Sequence, residues 1–456
     1  MSAIHTVSSN AMRTLVDSTF RSLRIRNYRL WFVGQGISQC GTWMQTVAQG
    51  WLVLQLSGSA LDLGIAVALP FLPVLLFGTW GGLIADRADK RKVLIACQIA
   101  FLLQATLLAA IVIAGVTQVW MVWVLALLMG LVLVVDTPTR LSFVSEMVDS
   151  DNVANAIGLN SVLITLARIV GPGLAGVLIA VVGLSLTFAL NPILKMAVIV
   201  SLLRMRPAEL HRQPPAGREP GQVVAGLRYA WRDPGLRIPL LLVAILGTFS
   251  YNFTVLLPLF AVDVLHQGGG TYGAMTAVMG AGALLGALIA ATRRRPGNRL
   301  LLSAAVILGV SSVALAASST LPVAFLALLP MGAAGTLFTS VSVSVIQLRS
   351  DLIMRGRVMA LVSVVFYGSM PISGPLGGML AGRFGAAAAL AVGGAAALLG
   401  ATGAALALRR SQSSIPTHTP PADDSASPPG FPQAEAAEST VDECGRLLPT
   451  SLPYPR

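Results

Sequence analysis

The sequence predicts an all-α integral membrane protein with about twelve transmembrane helices in two pseudo-symmetric six-helix bundles. Three observations predict it. Only 11% of the residues are charged while 55% are hydrophobic, against about 25% charged in an ordinary soluble domain. A water-soluble chain of 456 residues has too much surface to be covered by so few charges. The charges also fall in short runs, as at 86–92 and 293–295. The stretches between the runs reach the roughly 20 apolar residues that a helix needs to cross the hydrocarbon core. Finally, the segment ARIVGPGLAGVL around Gly171 returns as MPISGPLGGML around Gly374, 203 residues later. That offset is about half the chain before its polar tail.

Taken in order, residues 1–28 form a basic arm with Arg21, Arg24 and Arg26, expected to lie along the membrane surface. Spans fall near 29–56, 59–85, 91–115, 119–144, 154–183 and 185–203, so that 29–203 makes the N-terminal bundle. Residues 204–236 are a polar central loop with Pro207, Pro214, Pro215 and Pro220. A second set falls near 237–264, 271–292, 299–318, 321–347, 357–382 and 386–408, giving a C-terminal bundle over 237–408. Residues 409–456 are rich in Pro, Ala and Ser without apolar periodicity, and are expected to be a disordered cytoplasmic tail.

Charge sets the orientation. With both termini on one side, twenty-five Lys and Arg gather there, against Arg383 alone on the other. Basic residues collect in cytoplasmic loops, so both termini are expected in the cytoplasm and the chain in the cell inner membrane. The same rule accounts for the net charge of +12, and no basic face interleaved with aromatics suggests nucleic acid. Cys40, Cys97 and Cys444 have no paired spacing, and His5, His211, His266 and His418 are scattered. Neither a disulfide framework nor a metal site is therefore expected. The first apolar segment is too long for a signal-peptide core. No glycine-rich loop leads into Lys-Ser or Lys-Thr, and no catalytic cluster is spaced for chemistry. The expectation is a non-enzyme without cofactor or nucleotide, monomeric, whose partners are a small molecule, protons and the bilayer. Two six-span halves joined by a basic loop is an arrangement in which transporters alternate access.

Two motifs stand out. Residues 82–92, GLIADRADKRK, place Gly82 where helices approach closely. Asp86 can cap or pair at the next helix start, and Arg87, Arg91 and Lys92 hold the loop at the cytoplasmic face. This loop resembles the signature loop of the major facilitator superfamily, with one departure: Asp89 stands where the family has glycine. The equivalent region between spans eight and nine keeps its bases and lacks the acid. The second motif is Gly171-Pro172 with Gly176, repeated as Gly374-Pro375. It resembles the glycine-proline motif of the superfamily's antiporters, which implies a role in closing the pathway; close packing of small residues is the alternative.

The amino end FRSLRIRNYRLWFVGQGISQCGTWMQ, the segment DTPTRLSFVSEMV and RGRVMAL at 355–361 resemble the bacterial exporter family typified by the enterobactin exporter. That family also holds macrolide and multidrug pumps. The resemblance covers roughly 20–405 and implies efflux of a siderophore or drug-like compound by proton antiport. Uptake of a nutrient, or a non-transporting sensor or assembly factor on the same fold, are the rival readings.

Among the acids, Asp136 alone is placed well inside a span, with Arg140, Arg168 and Lys195 as intramembrane bases; Glu146 is assigned to a loop. Ionisable groups in a membrane pair with one another or line a water-filled path. Asp136 is thus either the proton-coupling carboxylate or one half of a fixed i,i+4 pair with Arg140. Arg168 and Lys195 would suit an anionic substrate, or be paired or snorkelling. Gln35, Gln39, Trp43, Gln45, Tyr251, Asn252 and Tyr367 are the remaining candidate lining, suited to an amphipathic ligand.

Overall fold

The computed structural model describes residues 19–211, 222–293, 296–351 and 354–413, without the side chains of Thr79, Ala85, Asp86, 222–226 and 411–413. The N-terminal 18 residues, most of the central loop's proline-rich stretch and the tail after Ser413 lie outside the described residues. Among those described, every regular element is helical. The helices are α1 (Arg26–Ser57), α2 (Ala60–Ala68), α3 (Phe71–Arg87), α4 (Lys90–Ile113), α5 (Val119–Glu146) and α6 (Val153–Leu203). They continue as α7 (Gln222–Arg232), α8 (Pro234–Phe249), α9 (Phe253–Asp263), α10 (Gly269–Thr292), α11 (Asn298–Ala316), α12 (Leu321–Arg349), α13 (Arg355–Phe384) and α14 (Ala386–Ser413).

Among the described residues, ten segments are long and apolar enough to cross a bilayer. One of them, Ser150–Leu203, is two spans: Gly183 has φ +81° and ψ 177°, which turns the chain back on itself. Only glycine takes that conformation without strain, and it falls where the sequence divides spans five and six. The first span, α1, falls below the apolar threshold because Gln35, Gln39, Gln45, Gln49 and Gln55 interrupt it. With α1 and the division at Gly183, the count is twelve.

Two spans predicted as continuous are broken. Pro70 has no N–H to continue the helix, so span two is α2 followed by α3. Span seven breaks at residues 250–252, where the Asn252 side-chain amide donates to the Thr248 carbonyl at 3.2 Å. A side chain has taken the acceptor that the ladder would use. The central loop is also more ordered at its ends than a polar connector: it carries α7, and Ala230 of that helix is buried with Leu236, Ile346 and Val358.

The turns differ by end. The residues with positive φ (Gly58, Gly115, Gly183, His266 and Gly385) all lie in turns at one end of the helices, here called the short-turn end. The described residues of the basic runs, among them Arg87, Lys90, Arg91, Lys92 and Arg293, occupy the other end. There, the described part of the N-terminal arm does not lie free along a surface: it is tied to the start of α6. Ser22 donates to Asn155 Oδ1 at 2.7 Å, and Tyr28 to the Ala156 carbonyl at 2.8 Å. Asn27 exchanges two hydrogen bonds with the backbone of Arg206, each 3.0 Å.

Glu146, expected in a loop, instead closes α5 and is buried, ion-paired with Lys90. The side chains are only 7% and 11% exposed, so neither charge has water as a substitute partner. Glu146→Gln is expected to cost about 3 kcal/mol, the lower end for breaking a buried pair. Thermal unfolding of the purified variant checks this, and Lys90→Met combined with Glu146→Gln should recover much of the loss.

Around this framework, large apolar side chains such as Leu103, Val181, Leu326 and Leu399 face outward, 64–76% exposed. An outward apolar surface with all backbone groups bonded inside helices is what a bilayer demands.

Candidate functional site

Three faces converge inside the N-terminal bundle. On α1 the stripe Gln35, Ser38, Gln39, Thr42 and Gln45 repeats at helical spacing; α4 presents Gln98, Phe101 and Gln104; α5 presents Met129, Leu133, Asp136 and Arg140. Lys195, from the second arm of α6, completes the lining. The cavity volume is about 40 Å³. At the ~10–15 Å³ needed to seat one water centre, that holds a few waters and no drug-sized molecule.

Asp136 is 3% exposed. Its Oδ1 accepts from Gln98 Nε2 at 2.9 Å, and its Oδ2 from Arg140 Nε at 3.2 Å. The i,i+4 ion pair, one of the two readings of Asp136, is present, and Gln98 holds the other oxygen. A second chain of bonds runs beside it: Asn191 donates to Gln45 Oε1, and Gln45 Nε2 donates to Gln104 Oε1 at 3.3 Å. Lys195 Nζ lies 2.5 Å from Thr42 Oγ1 and 5.4 Å from the centre of the Phe101 ring.

Several expected lining residues lie elsewhere. Arg168 is not in this cavity; its guanidinium stacks over the Trp43 ring at 5.0 Å. Tyr251 uses its hydroxyl to bond the Gly335 carbonyl at 2.7 Å and packs edge-on against Phe366. Asn252 is buried, and a Cβ at Gly377 would meet its side chain at 2.9 Å. Tyr367 stacks with Phe71 of α3, ring centres 6.4 Å apart. Of these, Tyr367 reaches across to the N-terminal bundle while Tyr251 packs within the C-terminal one, and α8, α9 and α13 contribute nothing to the cavity. Ser38, Thr42, Gln98 and Gln104 are the polar lining residues that the sequence analysis does not name. Their signal was visible: Thr42 stands three residues from Gln39 and Gln45, and Gln98 and Gln104 are uncharged polar residues six apart on an otherwise apolar span.

The motif residues fall into two settings. Asp89, the departure from the signature pattern, caps α4 by accepting from the Lys92 N–H at 3.2 Å. The cap expected of Asp86 is thus supplied three residues later; the Asp86 side chain lies outside the described residues. Arg91 Nε donates to the Leu202 carbonyl at 2.8 Å, closing the end of α6, while Arg87 and Lys92 are exposed and Gly82 is buried.

The glycine motifs sit where backbones touch. A Cβ on Gly374 would stand 2.4 Å from the Gly64 carbonyl oxygen, and one on Gly378 2.3 Å from that of Ala60. On the opposite seam, a Cβ on Gly273 would stand 2.2 Å from the Gly176 Cα. Gly171 packs instead within its own bundle, against Cys40 and Trp43 of α1, with Pro172 buried beside it. Pro375 borders the Gly64 contact. These approaches join α2 to α13 and α6 to α10 toward the short-turn end.

Comparison with known proteins decides the family. The family model described as transmembrane secretion effector matches residues 17–439. The chain belongs to that family. It is a multi-pass membrane transporter of the major facilitator type, built for secondary transport. It is 30% identical over 366 residues to the multidrug efflux pump Tap of Mycolicibacterium fortuitum, covering 77% of this chain and 87% of that one. To macrolide efflux protein A of Streptococcus pyogenes it is 24% identical, covering 80% and 92%. A shorter match, 31% identical over 149 residues, relates it to the staphyloferrin A transporter of Staphylococcus aureus, spanning 32% of this chain and only 38% of that protein. Among solved structures, the nucleoside transporter NupG superposes with a TM-score of 0.69 at 12% identity, covering 84% of this chain and 99% of that chain. A likeness at that identity speaks for the fold alone.

Proposed function

We propose that this protein exports a small amphipathic molecule, of siderophore or drug-like type, in exchange for protons. Asp136 carries the proton, and Arg140 is its partner when it is charged. The observation that carries the reading is a carboxylate buried at a polar cavity with room for a few waters, within a bundle that must move against its neighbour. Asp136 is the acid that lines that cavity, and a carboxylate beside water and a mobile cationic partner can exchange a proton as the bundle shifts. The relatives whose names speak of macrolide and multidrug efflux support the direction and the ligand type.

In this reading residues 29–203 and 237–408 are the two moving bodies. The glycine seams hold the short-turn end shut, and that end faces away from the cytoplasm. The chain sits in the inner membrane with both termini cytoplasmic and works as a monomer. The cavity is too small for the whole ligand, so cargo binds along the interface between the bundles, beside Trp43, Arg168 and Tyr367.

Inside-out vesicles from expressing cells test this directly. With the lumen acidified, labelled erythromycin or another drug-like probe should accumulate, and collapse of the proton gradient should release it. Accumulation that ignores the proton gradient would overturn the coupling. Movement of every tested compound toward the cytoplasmic face alone would overturn the direction.

A further inference from the structure

We propose that the cavity of the N-terminal bundle is a binding site for the anionic group of an amphipathic organic anion, with Lys195 as its counter-charge. The proposal rests on the export reading, and it names a ligand class that the reading leaves open.

Lys195 is 6% exposed. Among the described residues no carboxylate lies within ion-pairing distance of it. Asp136, the acid of the same cavity, already has one oxygen on Gln98 and the other on Arg140. What Lys195 touches is a hydroxyl, on Thr42, and the face of Phe101. An ammonium buried at membrane depth calls for an opposite charge in contact with it, and among the described residues none stands at that distance.

The charges that line the cavity are Asp136, Arg140 and Lys195, one negative against two positive. Its interior therefore favours a single negative charge and disfavours a cation. The uncharged lining agrees. Gln104 Nε2 is buried without an acceptor, because the relay from Asn191 through Gln45 ends on Gln104 Oε1 and leaves its amide N–H₂ unused. Gln35 Oε1 is likewise without a donor. Its oxygen and nitrogen are told apart only by their bonding, so a turned amide would present another N–H₂ to an anion. Size fits as well. About 40 Å³ takes a carboxylate with a water or two, while Phe101, Met129 and Leu133 form an apolar wall for the adjoining part of the molecule. The remainder of a larger ligand would leave through the cavity's mouth.

The test uses the purified full-length protein in detergent and three probes of one shape: benzoate, benzamide and benzylamine. Benzoate should raise the midpoint of thermal unfolding with increasing concentration, since a ligand bound to the folded state stabilises it. Benzamide and benzylamine should not. Lys195→Met keeps the length of the side chain and removes its charge, so the benzoate effect should vanish; Lys195→Arg should retain it. Gln104→Leu should weaken the apparent affinity for benzoate about tenfold, the loss of one hydrogen bond to a charged group. If Lys195→Met yields no folded protein, Lys195→Arg and Gln104→Leu carry the comparison.

The proposal falls if benzoate gives no shift, if benzylamine stabilises as well as benzoate, or if the benzoate shift survives Lys195→Met. It also falls if chloride or inorganic phosphate reproduces the whole effect, for the site would then hold an inorganic ion. Binding is read without any gradient. Vesicles lacking proton-driven flux would therefore sink the coupling while leaving the anion site in place, and intact flux with no benzoate effect would do the reverse.

Discussion

Asp136→Asn is expected to reduce proton-driven accumulation in proteoliposomes to the level of protein-free liposomes. Asparagine keeps the size of the side chain and an oxygen for the Gln98 bond of 2.9 Å, but it cannot take up and release a proton. Substrate entering from one side should still equilibrate, because nothing that packs the bundles is altered. A second effect accompanies the first. The Arg140 side chain is 13% exposed and loses its counter-charge, and an uncompensated buried charge costs about 3–5 kcal/mol. The double variant Asp136→Asn with Arg140→Gln separates the two effects: stability should return while coupling stays lost. Comparing imposed-gradient flux with thermal unfolding of the same preparations makes the check. Full gradient-driven accumulation by the single Asn variant would leave Asp136 a fixed structural partner and remove the proton step from this site.

Gly374→Ala should open the short-turn end. The added Cβ would stand 2.4 Å from the Gly64 carbonyl oxygen, and the neighbour is backbone, so no side chain can move aside. The helices α2 and α13 must separate. Overpacking of this kind costs about 1–3 kcal/mol. Since 1.4 kcal/mol is a tenfold change in an equilibrium, the ratio of closed to open molecules should fall by roughly 5- to 150-fold. Spin labels at Leu61 and Phe384, on a background without Cys40, Cys97 and Cys444, would report a new population at longer distance. Gly64→Ala should act alike, and the two together should be less than additive, because they open one seam. An unchanged distance distribution with normal folded yield would show that this contact does not hold the end closed.

Much of the fold was legible in the residues themselves. The division of spans five and six was readable at Gly183 because a turn of positive φ leaves glycine as the unstrained choice. The two broken spans were only half readable. Pro70 announces its break, since the missing N–H is a property of the residue. The break at Asn252 depends on its amide reaching the Thr248 carbonyl, which competes with a ladder that the same residues could otherwise have completed. Glu146 was misplaced for a related reason. Near a span's end a carboxylate can reach water or be buried, and only the position of Lys90, from a different helix, decides which.

For the site, the sequence by itself determined which groups are costly in a membrane: Asp136, Arg140, Arg168 and Lys195. It also offered Arg140, four residues along the helix, as one of two readings of Asp136, and the structure forms that pair. The tertiary structure alone decided the rest. It brought Gln98 to the second Asp136 oxygen, left Lys195 facing a hydroxyl and a ring, and stacked Arg168 on Trp43 outside the cavity. It also drew Tyr251, Asn252 and Tyr367 away from the cavity and into contacts among the C-terminal helices and with Phe71. Periodicity fixes which residues share a face of one helix. Which faces meet is set by where small residues such as Gly64, Gly176 and Gly374 let backbones touch, and that is a property of two helices at once.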